Sequence, residues 1–413
     1  MPVVSQTIPN FLNGMSEQTP TQRGINQGTD QINFQNNIVE GLTKRPPLEF
    51  VKTLDATNTY PNTIKFWNIN RDATSRFIVT FYHQGIKVYD LDGNSYPVST
   101  PNGVTYLAST NPREDFNCVS VADFTFIANK AILPVADSSS SAAKVEEFLI
   151  NVAKSQYGIE YRVTVKHPSM SYEIAVVFQM PSGNDATTDS SFRDTNKIKD
   201  ILLNGTSSQF WNASASQIGF KTVRTDTNAT LSTTQGLANY SGITNYFTFE
   251  SYDSVIYGKP TNGNAAYTVN TADGQGNLAM YVVRDEIQTF SRLPYYGKTG
   301  VKVKVTGDEG DELTDYFVAF QGNGVWSETI APGVSLGLDN SKMPHALVNN
   351  NNGTFTFKQL DFTDRICGDL TTNPNPSFVG QPIQNLTFYK NRLGLLAGEN
   401  LIFTENGGVF YFF

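Results

Sequence analysis

A chain of 413 residues, 12% of them aromatic, is long enough for two or three domains with cores of their own, which excludes a disordered segment or a short binding peptide. The net charge of -8, with no run of Lys or Arg, excludes a tight grip on nucleic acid, because such a grip needs a basic patch to neutralise phosphates. No stretch approaches the ~18–20 consecutive apolar residues of a membrane span, and the opening "MPVVSQTIPNFLNGMSEQ" lacks a basic segment followed by an apolar one, so no integral membrane segment or signal peptide is expected.

Residues 1–50 read as a polar arm rich in Asn, Gln, Gly and Pro, too poor in apolar clusters to build a core alone. In it, Lys44-Arg45-Pro46-Pro47 has the form of a docking motif: the prolines hold the backbone extended while two cations face a partner. The same residues would also suit a solvated linker. The texture changes near residue 60. "RFIVTFYHQGIKVYDLDGNSYPV" reads as strand, turn, strand, turn, strand, with Phe77, Val79 and Phe81 alternating before Ile86, Val88 and Tyr89. "CVSVADFTFIANKAILPVA" repeats the unit, with turns at Ala122-Asp123 and Asn129-Lys130 and a third strand expected after the second turn.

From about 147 to 290 the pattern differs. A strand pair, "EYRVTVKH" and "YEIAVVFQM", precedes one helix with Asp194-Thr195 at its start, Ile198, Ile201 and Leu202 on one face and Gly205 at its end. Strands "YFTFESY" and "LAMYVVRDEI" follow, an α+β insertion. Residues 291–345 form a smaller β unit, expected as two strand pairs around the acidic loop "GDEGDE". From 346 to 413 the short-strand texture returns in "NLTFYKNRLGLLAGENLIFTENGGVFYFF", broken at Lys390-Asn391, Gly398-Glu399-Asn400 and Asn406-Gly407-Gly408. The fold class expected is mainly β, with incomplete β-propeller elements at 51–146 and 346–413 flanking the inserted platform of 147–290 and 291–345.

Catalytic and metal-binding patterns fail on context. Asp90-Leu91-Asp92-Gly93-Asn94 shares the core of a calcium loop but lacks the further oxygen ligands and the closing Glu, so it reads as a hairpin corner. Gly333-Val334-Ser335-Leu336-Gly337 matches a nucleophile elbow, with Asp339 and His345 following, yet no helix follows the Ser. His83, His167 and His345 are too dispersed for a metal site, and Cys118 and Cys367 read as small buried residues. Asp308, Glu309, Asp311 and Glu312 could supply a carboxylate pair, although a dense acidic loop is more usually a solvated tip. Without a secretory route, the sequons at Asn204, Asn212, Asn228 and Asn385 are polar loops. No cofactor is expected.

Several blocks resemble the tail tubular protein B family, the nozzle proteins of short-tailed bacteriophages: "GLTKRPPL", "GIKVYDLDGN", "NPREDFNCVSVADFTFIANK", "SQYGIEYRV", "FSRLP", "MPHALV", "GTFTFKQLDF" and, most strongly, "RICGDLTTNPNPSFVG" and "NRLGLLAGENLIFTE". The blocks run across nearly the whole chain and are weakest at 165–280. The resemblance implies a non-enzymatic virion tail protein, assembled in the host cytoplasm into a six-fold ring below the adaptor and portal. It further implies docking of tail fibres and a channel through which double-stranded genomic DNA leaves without specific binding. Family members are longer, so the remaining propeller blades are expected outside these residues or from another chain. The alternative expectation is a virion-associated polysaccharide hydrolase or host-receptor-binding protein, with the acidic loop or another pair of carboxylates acting on bacterial surface sugar.

Overall fold

A computed structural model describes residues 5, 7, 10–54, 60–184, 189–206, 219–263, 266–307, 310 and 312–413. It is mainly β, as expected, and divides into two compact units: residues 1–60 with 89–95, and residues 61–88 with 96–413. No helix among the described residues is long and apolar enough to cross a membrane.

In the larger unit, the segments on either side of the central region join one sheet. Its five strands run in the order Val98–Ser99, Phe355–Lys358, His345–Asn349, Phe124–Asn129, Phe116–Val121. The antiparallel pairing of Phe124–Asn129 with His345–Asn349 brings together residues more than 200 positions apart, with Ala346 opposite Phe126. This pairing replaces the third strand expected after Asn129-Lys130, where the structure has irregular chain. The buried Asn129 side chain turns the backbone away: its Nδ2 donates to the carbonyls of Tyr106 (2.8 Å) and Ala108 (3.0 Å), and its Oδ1 accepts from the Ala131 N–H (2.9 Å). Pro134 then offers no N–H for a ladder.

Two meanders flank this sheet in sequence. Lys65–Asn70, Arg76–Tyr82, Gly85–Tyr89 and Ser95–Tyr96 form one four-stranded sheet. Ile383–Tyr389, Arg392–Ala397 and Asn400–Phe403 form the other, and Lys390 and Asn391, both at positive φ, make the tight turn between its first two strands. The last apolar run, 409–413, is not a strand; Phe410 and Phe412 pack instead against Phe362 in the core beneath that sheet.

The central region stacks three sheets. Phe148–Val152, buried at every position, lies inside a four-stranded sheet and is covered on both faces. Phe148, Ile150 and Val152 face a core shared with the five-stranded sheet containing Glu160–Lys166 and Ile174–Gln179, while Leu149 faces Val301, Val303, Val305 and Val318 of a third sheet. Two-sided burial explains why this strand is apolar at every position but Asn151, whose Nδ2 donates to the Tyr281 hydroxyl (2.8 Å), whereas Glu160–Lys166 alternates with one face inward. The helix is Thr195–Asn204: the Asp194 carboxylate accepts from the Asn196 N–H (2.9 Å), Ile198, Ile201 and Leu202 enter the larger core, and Gly205 ends it at φ +73°. In the third sheet, Lys302–Val305, Tyr316–Gly322 and Val325–Thr329 form one antiparallel meander, extended by the parallel pair Glu286–Ile287, in place of the two strand pairs expected.

Candidate docking surface

Residues 10–54 fold without contributing to any of the hydrophobic clusters among the described residues. Their order comes from amide hydrogen bonds. Phe34–Asn37 and Gly41–Lys44 form a hairpin with Asn36 opposite Leu42 and Phe34 opposite Lys44. The Asn36 Nδ2 donates to the carbonyls of Phe11 (3.0 Å) and Leu12 (2.9 Å), and the Gln31 Nε2 donates to Asn36 Oδ1 (2.7 Å) and to the Phe34 carbonyl (3.0 Å). A parallel bridge between Met15 and Gly28 closes the loop between them. The result is a groove of about 370 Å³ walled by Phe11, Ile32, Phe34 and Leu42, with Asp30 and Gln31 at its polar side.

Lys44 and Arg45 sit where the hairpin ends. The Arg45 N–H donates to the Asn33 carbonyl (2.9 Å), closing the base, and Pro46 and Pro47 carry the chain away. Both cations are exposed, and neither joins an ion pair among the described residues. Sequence reasoning missed the other end of the hairpin. At the three-residue tip Ile38 and Val39 are 93% and 91% exposed, although the tip backbone is pinned: Asn37 Oδ1 accepts from the Val39 N–H (2.9 Å) and Gly41 takes φ +82°. Two β-branched apolar residues between Asn37 and Gly41, where a tip normally carries polar ones, was the available signal.

The other candidates resolve as structure. Asp90 accepts from the Asn94 N–H (2.7 Å) and Asn94 Nδ2 (2.9 Å), and Gly93 takes φ +77°, so this stretch is a hairpin corner. Ser335, Asp339 and His345 do not form a triad. The Ser335 hydroxyl donates to the Asp137 carbonyl (3.2 Å), Asp339 caps a short turn at Ser341, and His345 lies stacked against Tyr106 with ring centroids 4.0 Å apart. Burial pushes the His345 imidazole down and the Cys118 thiol up to about 12, leaving both uncharged at neutral pH. Cys367 is a free, half-buried thiol. Asp308, Glu309, Asp311 and Asn212 lie outside the described residues, while Glu312 begins a short turn. No group of three His, Cys, Asp or Glu able to hold a metal occurs among the described residues.

Two further clusters have structural roles that sequence reasoning also missed. The buried Asp273 carboxylate accepts from the N–H groups of Gln275 (2.7 Å), Asn277 (2.8 Å), Ala279 (2.6 Å) and Met280 (3.2 Å). Burial alone would push this carboxyl up; the four donors outweigh it and hold it below the usual carboxylate value. Arg365, 2% exposed, donates to the carbonyls of Ser335 and Asn373 and to Asn375 Oδ1, tying three loop segments together. A cleft of about 470 Å³ between Val145, Phe317 and Pro332 is bordered by Lys144 and Lys304, but both are paired, with Asp285 (2.7 Å) and Asp315 (2.6 Å) respectively.

The family described as "Bacteriophage nozzle protein" matches residues 1–413. The chain is 32% identical over 420 aligned residues to "Tail tubular protein gp12" of Escherichia phage T7, covering 100% of this chain and 48% of that relative. It therefore spans about half the length of the relative it matches.

Proposed function

Because the chain belongs to the bacteriophage nozzle protein family, a family of structural tail proteins rather than enzymes, we propose that it is a wall subunit of the phage tail nozzle. In this reading six copies form a ring below the adaptor, dock tail fibres and enclose the channel through which the genome leaves. The family match over every residue of the chain carries the proposal. The charge supports it. A duplex presents a charge every ~1.7 Å and would adhere to a basic bore, whereas a subunit of net charge -8 offers little to hold it.

The sheets are read as propeller blades at 51–146 and 346–413, interrupted by the platform of 147–290 and 291–345. Two meanders support this reading, as does the pairing of Phe124–Asn129 with His345–Asn349 in the five-stranded sheet, which lets the chain leave one sheet and return beside its point of exit. In the arm, Lys44 and Arg45 are read as contacts to the adaptor or to a neighbouring subunit. Their exposure and the extended Pro46-Pro47 segment support that role.

Cryo-electron microscopy of the particle, or of the purified assembly, tests the proposal directly. A ring whose inner surface is not dominated by Lys and Arg is expected; a basic bore or a solitary globule refutes it. For the arm, pull-downs with the double variant Lys44→Ala/Arg45→Ala should lose adaptor or subunit capture, and unchanged capture removes these residues from the interface.

A further inference from the structure

The geometry points to a knob-into-groove contact between copies of this chain, in which the hairpin tip Ile38-Val39 of one copy fills the groove walled by Phe11, Ile32, Phe34 and Leu42 on the next. This rests on the ring reading above and names the contact that closes it.

Both halves lie on one small arm. The knob is apolar, almost fully exposed and held in shape by the Asn37 side chain, so little conformational freedom remains to be lost when it is buried. The groove has apolar walls, and its volume of about 370 Å³ admits two branched aliphatic side chains. A copy cannot fill its own groove. Phe34 is four residues from Ile38 along an extended strand, a span of about 14 Å at ~3.4 Å per residue, and the rigid hairpin cannot fold back on itself.

Charge favours the same occupant. Glu40 follows the knob and is exposed, with no ion-pair partner among the described residues, while Lys44 lies directly opposite the groove residue Phe34 and Arg45 comes next. Docking the tip into a neighbouring groove brings Glu40 toward these two cations. Asp30 also borders the groove and keeps its negative charge while accepting from the Gln31 N–H (2.7 Å), but Lys44 and Arg45 together outnumber it, so the sign at this end stays positive. Knob and groove are different surfaces, so the contact is head-to-tail: each copy uses its knob on one neighbour and offers its groove to the other. Such contacts propagate until the rotation closes a ring.

The test uses two variants of the chain and their mixture, followed by sedimentation velocity and native mass spectrometry. Ile38→Asp/Val39→Asp removes the knob and Leu42→Asp spoils the groove; circular dichroism confirms that each keeps its fold. Self-association should weaken at least about tenfold in either variant. Mixed one to one, they should form heterodimers and stop there, because the mixture retains one intact knob and one intact groove per pair. Glu40→Lys should also weaken association, and Lys44→Glu/Arg45→Glu in the same chain should restore it. Unimpaired rings from the knob variant overturn the inference while leaving the nozzle reading intact. So does a knob variant that self-associates normally but no longer captures the adaptor. A native chain that stays monomeric at every concentration overturns the ring reading beneath it.

Discussion

The strand Phe148–Val152 and the hairpin Phe34–Lys44 are both short β elements, yet they are stabilised by opposite means. The first is covered by apolar side chains on both faces. The second is held by side-chain amides bonded to backbone carbonyls and leaves its largest apolar residues in solvent. A region that closes its own core is stable alone; one that displays apolar groups on a hydrogen-bonded frame gains stability from whatever covers it. The central region thus closes its own core, whereas the arm leaves Ile38 and Val39 uncovered.

Phe148→Ala should separate the two most sharply. Phe148 packs against Phe247, Phe249 and Tyr267, and truncating it is expected to cost about 3–5 kcal/mol in denaturant unfolding. Ile38→Ala in the unassembled chain should stay within about 0.5 kcal/mol. An equal loss at both sites would break the comparison.

Asp273→Asn should cost a smaller amount, about 2–4 kcal/mol at neutral pH, by weakening charge-assisted bonds to four backbone donors. Its pH dependence has a definite sign. The folded-state value lies below the ordinary carboxylate value of ~3.9, so the stabilisation is fully present above that pH and disappears as pH falls through the depressed value. Thermal melts of the native chain should therefore drop on acidification below about pH 4, and the variant should lose less over the same interval. Parallel acid profiles would remove Asp273 as the cause.

The smallest global effect is expected at Asn36→Ala. Losing the bonds to the Phe11 and Leu12 carbonyls should speed amide exchange across residues 11–42 and leave the main unfolding transition unmoved. A shift of that transition would mean that the arm folds cooperatively with the rest.

Much of the chain's local structure was legible. The Asp90–Asn94 corner, the capped helix Thr195–Asn204 and the pair Glu160–Lys166 with Ile174–Gln179 follow from turn chemistry, capping and period-two alternation, all of which act within a few residues. The exposed pair Lys44 and Arg45, proposed as a docking contact, was visible as cations beside prolines, but the groove beside them was not, because Phe11, Ile32 and Leu42 converge only through hydrogen bonds between separated segments. Nothing in the local sequence around Arg365 marks it as buried, and only the fold makes it a clamp between loop segments.

The sequence by itself determined the local hairpins, their turns and the helix Thr195–Asn204, since periodicity and backbone preference are properties of neighbouring residues. Tertiary structure alone decided which distant strands pair: residues 131–135 leave the sheet and His345–Asn349 takes the place beside Phe124–Asn129. Edge hydrogen bonds are the same for any strand, so partner choice falls to buried contacts and to single side chains such as Asn129, whose amide is satisfied only when the chain turns away.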